Sequence, residues 1–296
     1  MSKAGFVALV GRPNSGKSTL LNQLIGEKVS IVSDKPQTTR NRILGILNRP
    51  QVQIILVDTP GIHRPGYRMN ERMMHSVYEA MKEVDIVVHI VDASKSFGKG
   101  EQYALDLVKK AEKPAILALN KIDLINKGKL LPQMEHFSKE HEYVAIVPIS
   151  ALTGDNTEDL VQTIAQHLPE HEFLYPPDYL TDQQERGMVS ELIREKVLTH
   201  TREELPYSTA VRIEEFEESE REKGFVRITA SIIVDKDSQK KIVIGRGGQM
   251  IKVIGTEARG DIQDLLQAPK VFLELNVKVV PGWRDQEHLL DDIGLV

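Results

Sequence analysis

The residues Gly11-Arg12-Pro13-Asn14-Ser15-Gly16-Lys17-Ser18 have the types and spacing to hold a phosphate chain. Glycines at both ends let the loop turn its backbone N–H groups inward around an anion. Gly5–Val10 before it is a short apolar run that reads as a buried strand, and Thr19–Ile25 after it reads as a helix. That context places the positive end of a helix dipole behind the anion. Lys17 can then reach β- and γ-phosphates, and the Ser18 hydroxyl can ligate Mg²⁺. A phosphate site of this kind needs a second metal-facing group and a base pocket, and both are written further along the chain.

Asp58-Thr59-Pro60-Gly61 closes an apolar run, which puts the Asp58 carboxylate at a strand's carboxyl end, where it can hold Mg²⁺ through water. The Gly61 N–H can meet a γ-phosphate. Ser33–Arg40 is polar and carries Pro36, so it reads as a loop, and its Thr38-Thr39 pair offers a hydroxyl to the metal only while a γ-phosphate is present. Thr39 is favoured over Thr38. Asn120-Lys121-Ile122-Asp123 ends another apolar run. The Asp123 carboxylate can accept two hydrogen bonds from guanine N1 and N2, a pattern adenine does not present. Asn120 can brace the site, and the Lys121 stem can lie along the ring face. Ser150-Ala151-Leu152 follows the last run and can supply a backbone N–H to guanine O6.

These motifs need a sheet to carry them. The expected strands are Gly5–Val10, Arg42–Leu47, Gln51–Val57, Asp85–Val91, Pro114–Leu119 and Tyr143–Pro148, with a turn at Asn48-Arg49-Pro50 and helices over Met69–Lys82 and Thr157–Leu168. Between Gly61 and the first of these helices, 62–66 is expected as a second loop. Strands alternating with helices predict an α/β doubly wound, mostly parallel sheet with ligands at the strands' carboxyl ends. Residues 1–169 are taken as this domain, and the proline-rich 170–178 as a stiff linker.

Residues 179–296 are taken as a second, α+β domain. A helix over Asp182–Thr201, strands over Tyr207–Phe216 and Gly224–Val234, and a third over Val271–Val280 are expected, with a solvated hairpin loop at 217–223. Between the last two strands stands Lys240-Lys241-Ile242-Val243-Ile244-Gly245-Arg246-Gly247-Gly248-Gln249-Met250-Ile251-Lys252. Helix end, G-x-x-G and helix start resemble the KH motif, and the element order resembles its type II form. Gly245, Gly247 and Gly248 let a single strand's backbone approach. Lys240, Lys241, Arg246 and Lys252 supply charge, while Ile244 and Ile251 can floor a groove for unstacked bases. Residues 236–259 hold six basic and two acidic side chains inside a chain of net charge −5. The bulk charge hides this local patch. Trp283 reads as a packing anchor.

The chain has 296 residues and no cysteine, which excludes disulfides and thiol chemistry and fits a reducing compartment. It has no run of about eighteen apolar residues, and because the strand expected at Gly5–Val10 follows closely on Met1, no signal peptide is expected.

With Gly11–Ser18, Gln37–Arg40, Asp58–Gly61, Asn120–Asp123 and Ser150–Leu152 in order, the chain resembles the Era family of translation-factor-class GTPases. Lys278, Trp283 and Arg284 match that family's C-terminal pattern. The resemblance implies GTP binding and slow hydrolysis to GDP with Mg²⁺. It also implies binding to the 3′ end of 16S rRNA and to the 30S subunit during its maturation, and peripheral association of a cytoplasmic protein with the inner membrane. A monomer is expected. Ile62 stands where a Ras-like chain has a water-orienting glutamine, as is usual in the Era-like group. Asn14 matches the asparagine that ligates K⁺ in some members. The alternatives are a KH-like domain that docks protein or membrane, action on another RNA as in large-subunit assembly, and a P-loop kinase or ATPase.

Overall fold

A computed structural model describes residues 2–63 and 66–295. Two compact units divide the chain, one built on 1–32, 39–65 and 70–182, the other on 183–296 with the short segments 33–38 and 66–69. Arg64 and Pro65, part of the loop expected after Gly61, lie outside the described residues.

In the first unit the sheet order is β2-β3-β1-β4-β5-β6, with β1 Lys3–Val10, β2 Ile43–Arg49, β3 Val52–Asp58, β4 Ile86–Asp92, β5 Ala115–Asn120 and β6 Ala145–Pro148. All neighbours pair in parallel except β2 with β3. The helices are α1 Lys17–Ile25, α2 Arg68–Glu83, α3 Lys99–Ala111, α4 Leu130–Glu140 and α5 Thr157–His167. The parallel strands are mostly apolar because both faces are covered, with Gln53 in β3 and His89 in β4 among the buried polar exceptions. Leu9, Val88 and Ile116 pack toward α1 and α5, whereas Ala8, Val10 and Val87 pack toward α2 and α3. Period-two alternation therefore splits each strand between two cores.

The β2–β3 turn is tighter than the expected Asn48-Arg49-Pro50. Arg49 pairs with Val52, leaving Pro50 and Gln51 as a two-residue loop. Gln51 takes φ +65°, the left-handed conformation such short hairpin loops use. Residues 174–182 lie along the free edge of β2. Buried Gln53 accepts the N–H groups of Leu174 and Tyr175 and donates to the Tyr175 carbonyl, Ile46 N–H donates to Leu180, and Leu44 N–H donates to Asp182 Oδ1. This covers an otherwise open sheet edge.

In the second unit β7 Ala210–Glu217, β8 Phe225–Val234 and β9 Lys270–Val279 form a sheet in that order, β7–β8 antiparallel and β8–β9 parallel. Helix α6 Glu185–His200 precedes them, α7 Asp237–Ile244 and α8 Gln249–Leu266 stand between β8 and β9, and α9 Glu287–Asp292 follows. Helix α6 begins at Glu185 rather than at Asp182, whose side chain is committed to β2. The 217–223 loop is pinned as well as solvated, with Arg221 in a bidentate pair with Glu185 at 2.6 and 2.7 Å. Trp283 is fully buried and its Nε1–H donates to the Ser208 carbonyl at 3.0 Å. Lys278 pairs with Glu214 at 2.8 Å and Arg284 with Asp235 at 3.6 Å.

Candidate functional site

The Gly11–Ser18 loop joins β1 to α1 as expected. Gly16, at φ +101°, lies so close to Asn120 that a Cβ there would collide with its amide. Only glycine gives both that backbone and that space. Pro13 abuts Gly61, and the Ile62 N–H donates to the Gly11 carbonyl at 2.9 Å. Lys17 is buried and donates to the Arg12 carbonyl at 3.1 Å. Burial lowers its pKa to about 8, against the opposing pull of the Asp58 and Glu101 carboxylates. Thr19 continues α1, and Thr59 is fixed by its hydroxyl donating to the Leu9 carbonyl at 2.8 Å, with Pro60 beside it.

At the β3 terminus, Asp58 Oδ2 accepts hydroxyl bonds from Ser18 at 2.6 Å, Ser30 at 3.1 Å and Thr39 at 3.3 Å. Ser18 and Thr39 hydroxyls are 2.7 Å apart, whereas Thr38 donates to the Lys35 carbonyl at 2.6 Å. Burial raises the Asp58 pKa, and Lys17 and the three hydroxyls oppose it. Its Oδ1 is buried with no hydrogen-bond partner among the described residues, as is the Ser15 hydroxyl. A convergent, all-oxygen set with an orphaned carboxylate oxygen fits Mg²⁺, a hard cation that takes oxygen ligands.

The base end is equally constrained. Asn120 Nδ2 donates to the Ser15 carbonyl at 2.8 Å, and its Oδ1 accepts the N–H groups of Lys121 and Ala151. The Ser150 hydroxyl donates to Asp123 Oδ1 at 2.6 Å. Lys121 Nζ spans from the Asn14 carbonyl to Asp92, each at 2.7 Å. Leu152 is 75% exposed. The sequence reading missed Asp92, although it too ends an apolar strand, the signal used for Asp58. It also missed Ser30 and Asn22, which no short motif marks.

In the second unit, Lys240 and Lys241 lie on α7, Ile244 ends it, Gly245–Gly248 form the turn, and Ile251 and Lys252 open α8. Gly245 takes φ +74° and ψ 173°, and a Cβ there would come 2.6 Å from Met250 Cβ. Lys241, Arg246 and Lys252 are exposed. Ile244 and Ile251 are half-buried, while Ile242 and Val253 are 50% and 42% exposed. Those two are the more open apolar surfaces, and the sequence reading passed over them.

A Walker-type phosphate loop, a carboxylate-and-amide base site and a three-stranded α+β unit carrying G-x-x-G define a P-loop GTPase joined to a KH domain. Two family models match, "50S ribosome-binding GTPase" over residues 6–121 and "KH domain" over 204–284. GTPase Era of Geobacter metallireducens is 47% identical over 292 residues, covering 99% of this chain and 97% of the relative. That of Geotalea daltonii is 47% identical over 98% and 97%. A crystal structure of Era in complex with MgGDPNP and nucleotides 1506–1542 of 16S ribosomal RNA matches with TM-score 0.96 and 41% identity over 100% of both chains. A variant of Aquifex aeolicus Era bound to GDP·AlF4⁻ matches with TM-score 0.94 and 42% identity over 99% of both. The chain belongs to the Era family of GTPases.

Proposed function

We propose that the protein is an RNA-responsive GTPase switch that binds the 3′ end of 16S rRNA and acts on the 30S subunit during its maturation. One observation carries this reading: the chain matches, over its whole length, an Era structure that holds both a GTP analogue with Mg²⁺ and that RNA. In this reading the hydrolytic domain, expected over 1–169, runs on through the segment laid along β2 to 182, and the RNA-binding one, expected over 179–296, begins at 183.

The roles follow from the chemistry of each group. The N–H groups of Asn14–Thr19 surround the phosphates, and Lys17 neutralises charge on the β- and γ-phosphates. Ser18 and Thr39 would ligate Mg²⁺ directly, and Asp58 would face it through water. When bound, the ion would supply charge neutralisation on the phosphates. Gly61 offers its N–H to the γ-phosphate. Asp123, held by Ser150, reads guanine N1 and N2, Asn120 ties that site to the phosphate loop, and Lys121 flanks the ring. Ile62 is buried in the apolar core, so its side chain contributes no polar group toward a water. K⁺ at Asn14 is the corresponding proposal for what acts in place of a water-orienting glutamine. Hydrolysis at equal rates in K⁺ and Na⁺ removes it. The protein is expected to act as a cytoplasmic monomer that associates peripherally with the inner membrane. Among the described residues no helix is long and apolar enough to cross one.

In the KH unit, Gly245–Gly248 admits the RNA backbone, Lys240, Lys241, Arg246 and Lys252 meet its phosphates, and Ile244 and Ile251, with the more open Ile242 and Val253, receive bases. Steady-state GTP hydrolysis, with and without a single strand copying the 16S 3′ end, tests the reading. Stimulation by RNA that is lost in Gly248→Asp supports it, and unchanged RNA affinity in that variant refutes it. A Cβ at residue 248 meets nothing within 4 Å, and aspartate tolerates the left-handed backbone there, so the variant is expected to fold. A second reading, action on the large subunit, draws on the description of the matched family model. Preferential retention of 23S over 16S rRNA would favour it.

A further inference from the structure

We propose that Ser30, gripped by Asn22, is a positioning residue that holds the Asp58 carboxylate in the orientation Mg²⁺ requires. The inference rests on the assignment of Asp58 to the metal site. Three hydroxyls converge on Asp58 Oδ2, and two of them, Ser18 and Thr39, belong to residues assigned to the metal itself. Ser30 is the third, 3.1 Å away and 3% exposed, and carries no role toward phosphate or metal. It can therefore keep its bond to Oδ2 whatever Ser18 and Thr39 do when the cation arrives.

Ser30 lies in neither helix nor strand, so something must fix it. Asn22 does so. Its Oδ1 accepts the N–H groups of Val29 and Ser30 at 3.0 and 2.9 Å, and its Nδ2 donates to the Ser30 carbonyl at 2.7 Å. One amide thus satisfies both backbone polar groups of Ser30. Asn22 stands four residues after Ser18 in α1, on the same helix face. The helix that begins at the phosphate loop therefore delivers two hydroxyls to one oxygen, one directly and one through Asn22. A buried carboxylate without such donors would be free to rotate and costly to keep charged. Partners of this second layer around a metal typically change its affinity by about 10- to 100-fold.

Release of methylanthraniloyl-GDP from the full-length protein, followed across a Mg²⁺ titration and in EDTA, tests this. Asp58→Ala is expected to flatten the Mg²⁺ dependence. Ser30→Ala and Asn22→Ala are expected to raise the Mg²⁺ concentration for half-maximal retention about tenfold. Ser30→Thr keeps the hydroxyl and should stay near wild type, and release in EDTA should match wild type throughout. An unchanged Mg²⁺ midpoint in Ser30→Ala, with Asp58→Ala shifted, overturns the role of Ser30 and leaves the metal assignment standing. No shift in Asp58→Ala overturns both. Equally faster release with and without Mg²⁺ makes Ser30 a scaffold residue and also overturns the proposal. If Ser30→Ala does not fold, Asn22→Ala decides by the same criteria, since its side chain bonds Ser30 and not Asp58.

Discussion

Lys17 shows how burial tunes the group proposed to meet the phosphates. Its pKa of about 8 lies below the lysine reference of 10.5. Across that window the unfolded chain binds more protons than the folded one, so the nucleotide-free protein gains stability as pH rises from about 8 toward 10.5. Nucleotide binding reverses the preference, because phosphate favours the charged amine. GDP affinity is therefore expected to fall as pH rises above about 8, with net proton uptake on binding that Lys17→Met abolishes. Calorimetry in buffers of different ionisation enthalpy measures this uptake, and its absence in wild type would contradict the assignment. At the base end, Asp123→Asn turns one acceptor oxygen into a donor. It should weaken GTP binding by about 100-fold or more and transfer preference to xanthosine triphosphate, which presents an acceptor at the 2-position. Competition binding with both nucleotides reads the exchange.

At the level of elements, the strap over β2 turns a hydrogen-bonding inventory into a measurable stability. Gln53 uses its amide oxygen twice and its amide nitrogen twice, on Leu174, Tyr175 and Asn48, while wholly buried. Gln53→Leu keeps the volume but strands those backbone groups. A loss of about 2–3 kcal/mol is expected, with faster hydrogen exchange at 174–180. Unchanged exchange would mean the strap is held by other contacts. In the KH unit, buried Gln239 donates to the Ser208 hydroxyl and accepts the N–H groups of Asp235 and Lys236. This joins the start of α7 to the residue whose carbonyl holds Trp283. Trp283→Ala should cost about 3–5 kcal/mol in urea unfolding. Trp283→Phe should cost less, because it retains most of the apolar burial.

Within a chain of net charge −5, the 236–259 segment carries six basic and two acidic side chains, the local patch proposed above to meet RNA. If Lys240, Lys241, Arg246 and Lys252 each meet a phosphate, log affinity for a single strand should fall against log salt with a slope of about −3. Lys252→Ala should make that slope shallower by about 0.7, and fluorescence anisotropy at several KCl concentrations reads both values. Any coupling between nucleotide and RNA must be reciprocal. If RNA raises affinity for the GTP-bound form, a GTP analogue must raise RNA affinity by the same factor.

The phosphate loop, Asp58 at the end of β3, Asp123 just past the end of β5 and the G-x-x-G turn were all legible in the order of residues alone. Each is a local arrangement in which residue type, backbone conformation and strand or helix context lie within a few neighbouring positions. The two-domain order was legible as well, because hydrophobic periodicity and turn residues mark elements one at a time. Which groups meet depends instead on the folded arrangement. Ser30 reaches Asp58 across 28 positions, and Gln53 meets Tyr175 across 122. No spacing rule encodes such contacts, since they depend on how strands order in the sheet and on where loops cross its end. The same holds for the apolar residues of α7. Ile242, Val243 and Ile244 are three successive apolar residues, and only the packed rotation of α7 buries Val243 and leaves Ile242 half open.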